Sequence, residues 1–289
     1  MSVFTTNSII GNISGSVKGL CKNQDKIFFG KSPEYNWSVV LDGHGTNQFI
    51  NLLSEFNWEE IMSAEDPSVI VINKVKSING MYGKTSGSTM SLMKMFKNRV
   101  ETYNIGDSIT AIYKNDTLVY KNRPHNKDNE LELERLKDKT VIFSYTNTLI
   151  PHICSATALR GKYNSYCSFN NHTKISLTQA LGHNDITGYC CEKHVETYDS
   201  TDKIRCVSGS DGFFDMFLFS GEDENEVEQD KHDILTKTTE ELLDKIEKRW
   251  KQKWEFYYDL NNPELKYNDI EFPSNSYDDV SIVVCDNYK

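Results

Sequence analysis

The chain of 289 residues has no apolar run approaching the ~20 residues that span a bilayer, so no membrane partner is expected. It lacks basic charge. Its 32 Lys and Arg stand against 42 Asp and Glu, a formal net charge of −10. A protein that holds nucleic acid unspecifically needs Lys and Arg to displace phosphate counterions, so no nucleic-acid partner is expected. Proline is scarce, with 6 residues, and no Pro-rich or Gly/Ser-rich linker or internal repeat interrupts the chain. This length fits one large domain or two small ones, and a single domain over residues 1–289 is the expectation. Paired CxxC spacing is missing as well. The cysteines at 21, 154, 167, 190, 191, 206 and 285 are odd in number and scattered. Cys190-Cys191-x-x-His194 has no second pair at zinc-ligand spacing, so the thiols read as reduced and mostly buried. The N-terminal Met-Ser-Val-Phe-Thr-Thr-Asn lacks the basic and then apolar regions of a secretory signal, and a cytoplasmic or nuclear location is expected.

What is present is the mixture of a globular protein, 38% hydrophobic and 26% charged residues. Short β-like runs bounded by turn residues fall at 26–29, 37–41, 88–92, 108–113, 117–120, 204–208 and 280–284, and Asn115-Asp116 between two of them predicts a tight hairpin turn. Helical periodicity covers 47–61, through Phe49, Ile50, Leu53 and Phe56. It covers 239–257 through Leu242, Leu243, Ile246, Trp250 and Trp254, which are core residues on this reading. The acidic stretch 221–230 has almost no apolar anchor and predicts a solvated surface loop. Together these elements predict an α+β domain with strands predominating in its core.

Chemistry concentrates where strands meet aspartate. The apolar run into Asp42-Gly43-His44-Gly45 ends in a hard oxygen ligand between flexible backbone, with an imidazole two residues on. Asp211 follows the run at 204–208, with Asp215 four residues beyond. Asp278 precedes the run at 280–284, Asp25 precedes that at 26–29, and Asp107 enters another. Aspartate is a poor strand residue, so several at strand ends predict one carboxylate-lined rim. Carboxylates gathered within ~4–6 Å repel one another, and divalent cations are the natural counter-charge.

The ordered set Asn23-Gln-Asp25, Asp42-Gly-His-Gly45, Ser86-Gly-Ser-Thr89, Asn104-Ile-Gly-Asp-Ser108, Ala180-Leu-Gly182, Ser210-Asp-Gly-Phe-Phe-Asp215 and Asp278-Asp-Val-Ser-Ile282 resembles the metal-dependent protein serine/threonine phosphatases of type 2C, over nearly the whole chain. The resemblance implies a central β-sandwich of two antiparallel sheets flanked by α-helices, and hydrolysis of phosphoserine or phosphothreonine at a binuclear Mg²⁺ or Mn²⁺ centre. Asp42 would bridge both ions and the Gly43 carbonyl would ligate one. Asp25 would belong to one ion, Asp211 and Asp278 to the other, and Asp107 and Asp215 to a looser third. His44 matches the general acid. The implied partner is a phosphorylated protein met by a monomer. Departures are Leu20, where the family commonly has a phosphate-gripping arginine, and Gln24, Thr46 and His183. Lys18 and Lys22 are then the nearby candidates for the substrate phosphate. Residues 137–175 match no motif and are expected to form a lid or flap. The alternative reading is a weak or inactive pseudophosphatase serving as a regulatory binding module.

Overall fold

The computed structural model describes residues 4–8, 11–139, 141–169, 173–221, 223–257 and 266–288. Two antiparallel sheets pack face to face. The first runs, in spatial order, Phe4–Ser8, Gly11–Lys18, Val280–Asp286, Ile204–Gly209, Ile109–Lys114 and Thr117–Lys121. The second runs Leu181–Gly182, Gly87–Ser88, Tyr35–His44, Met90–Phe96, Arg99–Ile105 and Glu192–Thr197, with Asp25–Lys31 also paired to Tyr35–His44. Period-two alternation sorts each strand. In the strand Val280–Asp286, Val280, Ile282 and Val284 face helices, whereas Val283 and Cys285 meet Ile13, Val40, Met93 and Ile112 between the sheets.

Helices close both outer faces. Asn47–Ser54, Trp58–Ser63 and Pro67–Ser77 cover the second sheet. Asp211–Phe214, Glu224–Thr236 and Thr239–Lys251 cover the first. The fold class is α+β, as the sequence predicts. The Asn115-Asp116 turn also forms as expected, with both residues at positive φ (52° and 64°), the conformation that two-residue hairpin loops demand. None of the described helices is long and apolar enough to cross a membrane.

The structure corrects several local expectations. The helix expected over 47–61 is two helices. Asn57 restarts the chain as an N-cap accepting from the Glu60 N–H, and the Trp58 indole donates to Leu53 O. Pro67–Ser77 lies outside the segments expected to be helical or β-like. The Asp66 cap and a proline in the first turn start this helix. The helix expected over 239–257 stops at Lys251, and Trp254 lies on the strand Lys253–Tyr257. Gln252 is extended there (φ −80°, ψ 164°), and the four-residue spacing of Trp250 and Trp254 spans two elements.

The acidic stretch is no solvated loop over its whole length. Asp223 caps Glu224–Thr236, and Asp230 is fully buried. Asp230 accepts both Arg249 guanidinium nitrogens (2.6 and 2.9 Å) and the Lys245 ammonium (2.6 Å). The segment 137–175, expected as a flap, forms a hairpin of Val141–Ile153 and Ala158–Phe169. It belongs to a third sheet with Thr173–Ile175, Lys253–Tyr257 and Lys266–Glu271, in which Ala158–Phe169 and Lys253–Tyr257 pair in parallel.

Asp230→Ala strands a buried guanidinium. The loss expected in urea unfolding is about 3–5 kcal/mol, and a loss below about 1 kcal/mol would contradict burial of the pair in solution.

Candidate metal centre

Strand ends deliver the aspartates to one end of the sandwich. Asp25 heads its strand directly opposite Asp42, near the end of Tyr35–His44. Asp211 opens the four-residue helix that follows Ile204–Gly209, and Asp278 lies two residues before Val280–Asp286. Asp107 sits on the turn between Arg99–Ile105 and Ile109–Lys114. Carboxylate oxygens of Asp42, Asp107 and Asp211 lie within 4.8 Å of one another. These three and Asp278 line a cavity of about 420 Å³ together with Gly43, His44 and Lys22. Asp25, 3% exposed, is not among the lining residues but is buried close enough to feel the charges of Asp211 and Asp278.

The cluster is short of positive charge. Burial, with the charges of Asp211 and Asp278 adding, pushes the Asp25 carboxyl up to about 8. Burial and then Asp211 push Asp278 up to about 7, although the Lys22 ammonium lies 3.7 Å away. Asp42 and Asp107 are also held well above the usual carboxylate range by burial and by Asp211. Asp25 Oδ2 and Asp211 Oδ1 are buried acceptors with no hydrogen-bond partner among the described residues. Orphaned carboxylate oxygens amid like charge suit a hard divalent cation such as Mg²⁺ or Mn²⁺, and the oxygen-only donor set fits those ions.

Not every expected residue arrives. Asp215 is exposed and outside the cavity lining, although its charge reaches Asp107 and its N–H donates to Asp211 O (2.7 Å). Lys18 is committed elsewhere: its ammonium bonds Asp244 (2.6 Å) and also Glu247, both on the helix Thr239–Lys251. Leu20 packs against the core that the helices cover. Lys22 does reach the cavity.

The motif residues around the aspartates position them. The Thr89 N–H donates to Asp42 O (2.9 Å), and the Asp42 N–H donates to Thr89 Oγ1 (3.2 Å), which bonds Ser108 Oγ (2.6 Å). Ser91, Thr110 and Ser208 form a second buried run of hydroxyls between the sheets at 2.6 and 2.9 Å. Sequence reasoning passed over His125. Its Nδ1 accepts the Gly106 N–H (2.9 Å) and its own N–H returns to Gly106 O (2.9 Å), fastening the turn that carries Asp107. Burial pushes its imidazole down to about 4. Lys174 and Tyr166, from the segment without motifs, line the cavity too. Nothing short-range in the sequence signals them.

His44 meets His183. Their Nε2 atoms lie 2.7 Å apart with the rings stacked 4.9 Å between centroids. His183 Nδ1 lies 2.7 Å from Lys84 O, a pure acceptor, so Nδ1 carries that proton and His183 Nε2 accepts from His44 Nε2–H. Gly87 makes the space: a Cβ there would stand 2.3 Å from His183 Nε2 and 2.6 Å from His44 Nε2. His183, Asn184 and Asp185 all take positive φ (51°, 51° and 62°), a strained run held by the His183 N–H to Ser86 O bond (2.9 Å) and the Asp185 contact with the Tyr189 hydroxyl. Burial, His183 and Lys22 push the His44 imidazole down to about 3, so it is neutral here.

None of the described cysteines lines the cavity. Cys154 and Arg160 stand at the CxxxxxR spacing of cysteine phosphatases, but that spacing spans the turn between two antiparallel strands. The Cys154 thiol is buried and donates to Ala158 O (3.3 Å). Cys191 packs beside the core of the second sheet, while His194 stacks on Tyr120.

The chain has the fold of the type 2C serine/threonine phosphatases. It is similar to a serine-threonine phosphatase 2C from Toxoplasma gondii, with 12% identity, 99% of each chain covered and a TM-score of 0.55. It is similar to a C. elegans sex-determining protein at 18% identity and a TM-score of 0.60, covering 96% of this chain. There it spans about 65% of the length of the nematode chain. RsbX, solved in complex with magnesium, aligns over 99% of each chain at 11% identity and a TM-score of 0.50. The sequence itself matches no family model and no curated protein.

The raised carboxyls set an unusual pH response. Stability from Asp25 and Asp278 is fully present below their ordinary range of about 4 and is lost as pH rises through about 7 to 8. Thermal melts in EDTA should therefore fall from about pH 5 to about pH 8, less steeply for Asp42→Asn, and excess Mn²⁺ should remove the fall. A melting temperature that climbs over that window in EDTA, or ignores Mn²⁺, would count against the cluster.

Proposed function

We propose that this chain is a metal-dependent protein serine/threonine phosphatase acting as one catalytic domain on phosphorylated proteins. The observation that carries the reading is the meeting of Asp25, Asp42, Asp107, Asp211 and Asp278 around buried, unpartnered oxygens, at the end of a type 2C fold. Asp42 would serve two ions, Asp25 and the Gly43 carbonyl one of them, and Asp211 and Asp278 the other. Asp107, with the more exposed Asp215, would serve a looser third. Bound Mg²⁺ or Mn²⁺ supplies acidified water as nucleophile and offsets charge on the phosphoryl oxygens.

The chain's own residues supply the rest. Lys22, at the cavity rim, meets the phosphate as a point charge rather than as a bidentate fork. His44 gives a proton to the departing serine or threonine oxygen, with its ring held by His183. Its neutral state here reflects burial, His183 and Lys22. A phosphate dianion beside it is the charge that favours protonation.

A second reading, a pseudophosphatase that keeps the fold as a binding module, draws on two observations. Leu20 packs into the core where an arginine would serve the phosphate, and the surroundings of His44 disfavour its charged form.

Turnover of p-nitrophenyl phosphate and a phosphothreonine peptide separates the two. Activity with Mn²⁺ or Mg²⁺ should vanish in EDTA, and Asp42→Asn and Asp211→Asn should each lower kcat by more than about 10²-fold. His44→Ala should slow the peptide about 10²–10⁴-fold and the nitrophenyl ester much less, since nitrophenolate leaves without a proton. Mn²⁺ binding in calorimetry without any turnover selects the pseudophosphatase.

A further inference from the structure

Asp278 and Asp279 are adjacent, and their side chains do different things. Asp278 lines the cavity. Asp279 is 2% exposed and outside that lining. Its two carboxylate oxygens are taken by backbone amides: Oδ1 accepts the Cys21 N–H (3.1 Å) and Oδ2 the Gln24 N–H (2.6 Å). Those amides bracket Lys22 in a loop outside helix and strand.

Further contacts fix the same loop. Leu20 packs into the core before the bracket, Asn23 takes φ 56°, and the Gln24 side chain donates to Asn47 Oδ1 (2.6 Å) and Gly45 O (3.2 Å). The Lys22 side chain, 52% exposed, is the part of the bracketed loop that enters the cavity, its ammonium 3.7 Å from Asp278. A four-carbon stem on an unpinned loop would spread its charge over many positions.

We propose that Asp279 is a positioning residue: its buried carboxylate clamps both sides of the loop so that Lys22 is presented to the phosphate group of the substrate. This rests on the phosphatase reading for the identity of the anion. It assigns Asp279 to the substrate side of the site and not to metal binding, although it neighbours a candidate ligand. Asparagine in its place keeps the volume and one acceptor, but offers an NH₂ to an amide N–H, so one side of the clamp opens.

Calorimetric binding of inorganic phosphate to the Mn²⁺-loaded protein tests this without needing turnover. Asp279→Asn should weaken phosphate roughly ten-fold, and Lys22→Met by a similar factor. The double variant should be no weaker than Lys22→Met alone, because the clamp acts through that side chain. Lys22→Arg should bind at least as tightly as the wild type. Mn²⁺ affinity of Asp279→Asn should stay within about two-fold of wild type. Additive losses in the double variant, unchanged phosphate affinity in Asp279→Asn, or a loss of Mn²⁺ affinity in its place would each overturn the proposal. Should Asp279→Asn fail to fold, Lys22→Met decides, since unchanged phosphate affinity there also overturns it. Absence of wild-type turnover would defeat the phosphatase reading while the phosphate titrations still judge the clamp.

Discussion

The constraint on which the structure turns is the mutual repulsion of carboxylates gathered at one end of the sandwich. Asp25, Asp42, Asp107 and Asp278 are all pushed toward protonation by burial and by neighbouring charge. A cluster of that kind stays together only if the backbone holding it is tied down independently. Here the ties are the strand register that sets Asp25 against Asp42, the hydroxyl contacts through Thr89 and Ser108, and the histidine lock on the Asp107 turn.

The space between the sheets shows how the fold serves that end. Through most of its depth it is filled by Ile13, Val40, Met93, Ile112 and Val283. Toward the site the residue types change to Ser91, Thr110 and Ser208, joined hydroxyl to hydroxyl. Buried hydroxyls that satisfy one another keep two backbones at fixed separation without competing for a cation as carboxylates would. Farther out, the paired helices behind the first sheet are locked by Asp230 and Arg249, which also donates to Met216 O beside the helix that begins at Asp211.

Much of this was legible because it is local. The strand at 280–284 shows in its alternation, the hairpin at Asn115-Asp116 in its turn chemistry, and each aspartate of the cluster in the strand it abuts. The failures share one cause. Asp230 reads as a solvated charge because Arg249 is 19 residues away in sequence. Trp254 reads as helical because spacing alone does not reveal the break at Gln252. Lys18 and Lys22 are equivalent candidates by composition, yet helix carboxylates claim one and the cavity admits the other.

The sequence by itself determined part of the sandwich strands, the residue type at each strand end and the ordered motifs, because side-chain alternation and turn preference act over a few residues; strands such as Gly11–Lys18 and Arg99–Ile105 carry no such signal. Tertiary structure alone decided which carboxylates converge, which lysine stands at the rim, and that His44 faces a second imidazole 139 residues away. Those outcomes depend on distances between segments far apart in the chain, and on burial, which multiplies the energy of charge and hydrogen bonding only after the sheets have closed over them.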